Sequence, residues 1–222
     1  MGWLEFIFAF AAFFLTHSVP IRPPIKPWLV ARLGRAGFGI AYSALSLGVL
    51  AWLIGAAGRA PFVPLWSWTP WHAYLALATM LVVCLLLGLS IARPNPFSFG
   101  GARNDRFDPA RPGIIRLTRH PLLLALALWA GVHMLANGDL AHVLLFGTFA
   151  GFAVLGMRVI DRRKQREMSG TWHRLDAGRM QGAWLPGRED IAQVALRLVL
   201  GAGLYVALLL SHPWLFGVNP IP

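Results

Sequence analysis

Charge is scarce in this chain. Of 222 residues only 13% are charged, and 57% are hydrophobic. A soluble domain carries roughly 25% charged residues, so a soluble fold of this composition would lack the polar surface to cover itself. Cysteine is nearly absent. The one thiol, Cys84, excludes an internal disulfide and a cysteine-based metal site, and its place inside an apolar run marks it as a small core residue. No internal repeat and no disordered tail is visible, and the length suits one domain over residues 1–222. The first apolar run lacks a basic leader, carries Glu5, and shows no small-residue cleavage site before the proline-rich stretch Pro20–Pro27. It reads as a helix of the mature protein, not as a signal peptide. Acid is scarcer than base, leaving a formal charge of +11. That surplus does not indicate nucleic acid, because a membrane explains its placement better.

Six apolar runs are present: Gly2–Val19, Ala36–Ala57, Pro70–Ala92, Pro121–Ala136, Leu140–Ile160 and Ile191–Ser211. Crossing about 30 Å of hydrocarbon takes about 20 helical residues. The expected fold is an all-α polytopic bundle of about six transmembrane helices. The fourth run is short, and a start one turn earlier, near Leu117, would lengthen it. Eighteen of the twenty Lys and Arg residues fall in alternate connections, around 22–35, 93–119 and 158–188. Positive connections stay in the cytoplasm, which predicts a multi-pass protein of the bacterial inner membrane with both termini periplasmic. Trp3, Trp66, Trp68, Trp71 and Trp214 then mark the outer interface, and Trp28 and Trp184 the inner one.

Histidines carry most of the chemical information. His17, His120 and His173 fall toward the cytoplasmic side, and His72, His142 and His212 toward the outer interface. His133 alone lies clearly within the hydrocarbon, in span four. Trp129, His133 and Asn137 are spaced i, i+4, i+8 and share one helix face, which predicts an interior stripe. A neutral imidazole there suits a haem or metal ligand. It equally suits a hydrogen bond that only fastens the bundle.

The segment Gly113–Pro121, GIIRLTRHP, is a second candidate. Pro121 suits a first helical position, and the helix start directs N–H groups and positive dipole toward the cytoplasm. With Arg116, Arg119 and His120 beside it, an anion pocket is expected for a carboxylate, phosphate or propionate. Anchoring to anionic lipid head groups is the competing account. The stretch Arg93–Gly113 reads as a long loop, of the kind that is often functional or mobile. Arg197, inside span six, is expected to snorkel to the cytoplasmic side.

The block TRHPLLLALALWAGVHMLANGDLAHVLLFG at Thr118–Gly147, with DRR at Asp161–Arg163 and LTHSVPIRP near the end of span one, resembles the NnrU family of bacterial inner-membrane proteins. The likeness covers about residues 1–215. It implies a role in denitrification or nitric oxide metabolism, and possible association with a respiratory or denitrification complex. The family is similar in turn to the 15-cis-zeta-carotene isomerases, which bind haem b through histidine. That resemblance implies haem b held by His133 and His17 as metal ligands, with His120, His72 and His212 also matched. The isomerases place a cysteine three residues before the ligand histidine, where this chain has Ala130, so their ligand exchange is not expected.

Depth complicates the His17–His133 pair, because about ten residues, roughly 15 Å of helix, separate their levels. His72 or His212 stands at a better depth to share an iron with His133, and both pairings remain open. Two other classes compete. The GxxRxxRHP pattern, with Glu167 and Trp172 downstream, resembles membrane methyltransferases that use S-adenosylmethionine, although Leu122 and Leu123 stand where an aromatic would follow. The third class is a non-catalytic assembly partner of a respiratory complex, with His133 as a packing contact.

Overall fold

A computed structural model describes residues 2–222. Among these the architecture is all-α, with one isolated bridge, Pro64 to Asp139, as the only extended pairing. The helices are α1 (Gly2–Ser18), α2 (Ile25–Arg59), α3 (Pro70–Ser90), α4 (Ile114–Leu117), α5 (Pro121–Asn137), α6 (Leu140–Met168), α7 (Gly170–Gln181) and α8 (Ile191–Phe216). Four of them, α2, α3, α6 and α8, are long and apolar enough to cross a membrane. The apolar helices α1 and α5 are shorter, at 17 residues each. The chain divides into two compact units, Met1–Trp66 with Gly138–Leu145, and Ser67–Asn137 with Phe146–Pro222.

In the first unit α1 packs against α2. Glu5, the one acid in α1, is not left bare in an apolar setting: Arg59 at the far end of α2 closes on it at 2.6 Å. The connection after α1 was expected to be a loop up to Arg35, but it is helical from Ile25. Gly34, at φ +71° and ψ 167°, breaks α2 there. A side chain at that φ would be strained, so the glycine sets a basic leading segment at an angle to the apolar remainder. The other connection of this unit is tight. Gly138 accepts hydrogen bonds from the Leu65 and Trp66 amides at 2.8 and 3.2 Å. Asp139 then starts α6, taking the His142 amide on Oδ1 at 3.2 Å and the His142 imidazole on Oδ2 at 2.6 Å, which is the work of an N-terminal cap.

In the second unit α3 is the central post, with α5 on one side and α8 on another. Val83, Leu86 and Ala125 form the core of the α3–α5 contact. The α3–α8 contact is closer still, because Gly88 and Gly201 face each other's helices. A Cβ on Gly201 would sit 2.8 Å from the Cys84 carbonyl oxygen, and one on Gly88 would strike the Arg197 carbonyl. Small residues let helix backbones approach in lipid, where dispersion replaces the hydrophobic drive. Cys84 is fully buried in this contact, in keeping with its reading as a core residue. Arg197 extends from α8 to the C-terminal carbonyls of α3, donating to Gly88 at 3.2 Å and Ile91 at 2.8 Å.

One expectation about this unit is corrected. Span four does not begin near Leu117: α4 is a separate turn, Thr118 is extended at φ −150° and ψ 138°, and α5 begins at Pro121. The ring of Pro121 disfavours helix at the residue before it, His120. The stretch from Arg93 to Gly113 is the long loop the sequence suggests, with one short turn at Asn104–Arg106, and it is packed. Phe97 is fully buried within it and forms a core cluster with Ile115 and Trp172. Asn95 and Asn104 tie the chain to itself, the Asn95 amide donating to Asn104 Oδ1 at 2.8 Å. This plug packs against α7 through Phe97 and Trp172.

Candidate functional site

Two polar clusters lie in the second unit. The larger is built where the plug meets the starts of α4 and α5, the end of α6, and α7. Arg119 sits just before Pro121, and the Asn95 side chain secures its carbonyl at 2.9 Å. Its guanidinium grips Asp161 with two bonds, Nε to Oδ1 at 3.0 Å and Nη2 to Oδ2 at 2.6 Å. Nη1 reaches Asp176 of α7 at 3.2 Å, and the cation lies 5.1 Å from the Trp172 ring centroid. Asp176 is shared with Arg179, at 2.5 Å. Arg179 is buried and donates to the carbonyls of Ile115 and Arg116 at 3.1 and 3.0 Å. Arg116 returns the contact to the carbonyls of Arg179 and Gly182.

His120 completes this cluster. It is 3% exposed, with Nδ1 against the Ser98 hydroxyl at 3.0 Å and Nε2 against Asp161 Oδ1 at 2.9 Å. A neutral ring satisfies both contacts: Nε2–H donates to the carboxylate and Nδ1 accepts from the hydroxyl. Burial pushes the imidazole below its ordinary value, and the Arg119 and Arg179 charges add to this, against the opposing pull of Asp161. The chemistry is that of a compensated ion network. The positive charge that the sequence places at RHP is matched by two carboxylates from distant helices. Asp161, Asp176, Arg179, Asn95 and Ser98 have no motif of their own; an acid standing first in the run DRRK was the one visible signal.

The second cluster is at the other end of α5. His133 Nδ1 bonds the Trp129 carbonyl at 2.8 Å, one turn back on its own helix. Its ring lies 5.3 Å from both the Trp129 and Phe146 centroids, and Trp129 continues onto Phe149 at 6.1 Å. The carbonyl can only accept, so Nδ1 carries the proton and Nε2 is left as the basic nitrogen. His212 of α8 is tied in the same way, with Nδ1 to the Val218 carbonyl at 2.8 Å, and lies within electrostatic reach of His133. Asn137 departs from the expected interior stripe. It is exposed, and its amide turns back to the His133 carbonyl at 2.7 Å.

The remaining histidines divide by role. His72 is buried but belongs to the N-terminal cap of α3: its Nδ1 accepts from the Thr69 amide at 3.0 Å. The same nitrogen lies 2.9 Å from the Thr69 hydroxyl and 3.1 Å from the Thr69 carbonyl, so the ring is held at the helix end through Nδ1. His17 lies in the first unit, on α1, with Nδ1 to the Phe13 carbonyl at 2.8 Å and its ring 4.0 Å from Phe13. His17 and His133 thus belong to different compact units. Among the described residues no three His, Cys, Asp or Glu side chains are grouped to hold a bare metal ion.

A family model described as NnrU protein matches residues 5–220. No curated protein and no solved structure matches the chain.

Proposed function

The chain belongs to the NnrU family, and on that premise we propose that it is a six-span inner-membrane protein that binds haem b through His133, in the service of denitrification or nitric oxide metabolism. The 17-residue helices α1 and α5 extend about 25 Å, the short end of what a span requires, and join the four longer ones as the fifth and sixth spans. The basic plug, the end of α6 and α7 then face the cytoplasm, and both termini the periplasm.

One observation carries the haem reading. His133 is held as the tautomer that leaves Nε2 basic, on an apolar helix and beside the rings of Trp129 and Phe146. A ligand histidine commonly donates its other N–H to a carbonyl, which fixes the ring and raises its basicity. His212, tied by the same device, supplies the second nitrogen. The residues therefore fit the group, and haem needs only one or two protein ligands. Haem b bound there would supply one-electron or diatomic-gas chemistry. The chain's own part would be to fix two imidazoles, with Trp129 and Phe146 packed beside His133 to exclude water. The methyltransferase reading ranks below this one, because it asks Arg119 to hold a substrate carboxylate and Arg119 already grips Asp161 and Asp176.

The absorption spectrum of the detergent-purified protein tests the assignment. A haem b Soret band is expected in the wild type, lost or strongly shifted in His133→Ala and altered in His212→Ala, with His17→Ala unchanged. If His133 only fastens the bundle, its removal costs about 1 kcal/mol and leaves haem content untouched; that result overturns the ligand role. Loss of haem in His17→Ala but not in His212→Ala would replace the second ligand while keeping the first.

A further inference from the structure

Away from both clusters, a cavity of about 290 Å³ opens between the end of α3, the turn α4, residues 183–190 and the start of α8. Its walls are mostly apolar: Leu89, Ile114, Leu117, Leu185 and Val194 among them. Arg93 lies flat over Gly113, where a Cβ would come within 2.5 Å of its Nη2. Among the described residues no carboxylate pairs with Arg93. Arg197, the cation that acts on it most strongly, bonds only neutral carbonyls. Among the described residues the one acid lining the cavity is Asp190, 3.9 Å from Arg111, which also holds Asp108 at 3.2 Å. Burial, with Arg197 nearby, holds the Arg93 guanidinium below its usual range, and Asp190 offsets this only in part. Such a group gains from an incoming anion, because the desolvation is already in place.

We infer that this cavity seats the anionic head, carboxylate or phosphate, of a single-charged amphiphile drawn from the bilayer, with Arg93 as its counter-ion and the tail leaving over Leu117 and Leu185. Size and exposure support the amphiphile over a free anion. The volume is at the small end for ligand pockets, enough for a head group and the first part of a chain. The mouth is lined by hydrophobic side chains that water does not favour: Leu117 is 62% and Leu185 80% exposed. A snorkelling cation beside apolar surface at the end of a span is where a lipid head sits. The site shares no residue with the His133 assignment, so either can fail alone.

The test is native mass spectrometry of the detergent-purified full chain titrated with oleate, phosphatidylglycerol, phosphatidylcholine and inorganic phosphate. One retained oleate or phosphatidylglycerol is expected, with affinity at least tenfold above that for phosphatidylcholine. Arg93→Gln should lose most of that preference, while Arg106→Gln, at an exposed arginine of the same plug, should keep it. Equal loss in both variants reduces the effect to general surface charge and overturns the site. Unchanged binding in Arg93→Gln overturns it as well. Inorganic phosphate bound as tightly as the lipids would overturn the amphiphile in favour of a free anion. Circular dichroism of Arg93→Gln matching the wild type ties any loss to the site and not to misfolding.

Discussion

At the scale of single residues, the same side-chain type does different work according to what its two nitrogens meet. His72 accepts from an amide and caps a helix; His133 and His212 donate to carbonyls and keep a basic nitrogen; His120 bridges a hydroxyl and a carboxylate. A pH dependence follows for His120. Its folded-state value is depressed by burial, so above its ordinary value of about 6.5 the ring is neutral in folded and unfolded chains alike, and stability is complete. As pH falls through that value the unfolded chain takes up a proton that the folded one refuses, and stability declines by up to about 1.4 kcal/mol per pH unit until the folded value is reached. Thermal midpoints in detergent between pH 7.5 and 5.5 should fall more steeply for the wild type than for His120→Gln, whose amide can still donate to Asp161 and accept from Ser98. Parallel curves would show that His120 is not held neutral. None of these assignments was readable from spacing. The i, i+4, i+8 pattern placed Trp129 and His133 correctly side by side, but it also turned Asn137 inward, because a helical wheel does not register that the last turn of a helix reaches the surface.

At the scale of elements, hydropathy located α3 and α5 closely, but it missed the basic leading segment of α2 from Ile25 and the basic end of α6 up to Met168, because helix continues there beyond the apolar run. It also did not reveal how near the helices come. Gly88 and Gly201 bring α3 and α8 into backbone contact, and Gly203 of the same helix meets nothing within 4 Å. Gly201→Val should therefore force α3 and α8 apart and cost about 1–3 kcal/mol, the range for overpacking, while Gly203→Val should change little. Unfolding midpoints of the two variants in one detergent decide it; equal losses would mean that helix propensity, not the close approach, governs both. The plug between α3 and α5 was the least legible element. Its proline and glycine content reads as loop, yet Phe97 and Ile115 anchor it beneath α7.

At the scale of the whole molecule, the distribution of charge implies an orientation. With eighteen of twenty basic residues in alternate connections, reporter fusions at Gly58, Gly138 and after Pro222 should read as periplasmic, and fusions at Lys26, Asn104 and Gly170 as cytoplasmic. Gly138 and Gly170 on the same side would break the six-span arrangement, because α6 would then not cross. The sequence by itself determined that this is an all-helical membrane chain, which ends carry the charge, and that RHP and His133 are unusual, since composition and one-dimensional periodicity report the solvent each segment prefers. Only the tertiary structure decided that Arg119 and His120 close on Asp161 and Asp176, that His72 caps α3, and that Arg93 lines a cavity with no carboxylate paired to it among the described residues. Charge pairing depends on side chains from helices far apart in the chain arriving within about 3 Å of one another, and nothing along a sequence measures that distance.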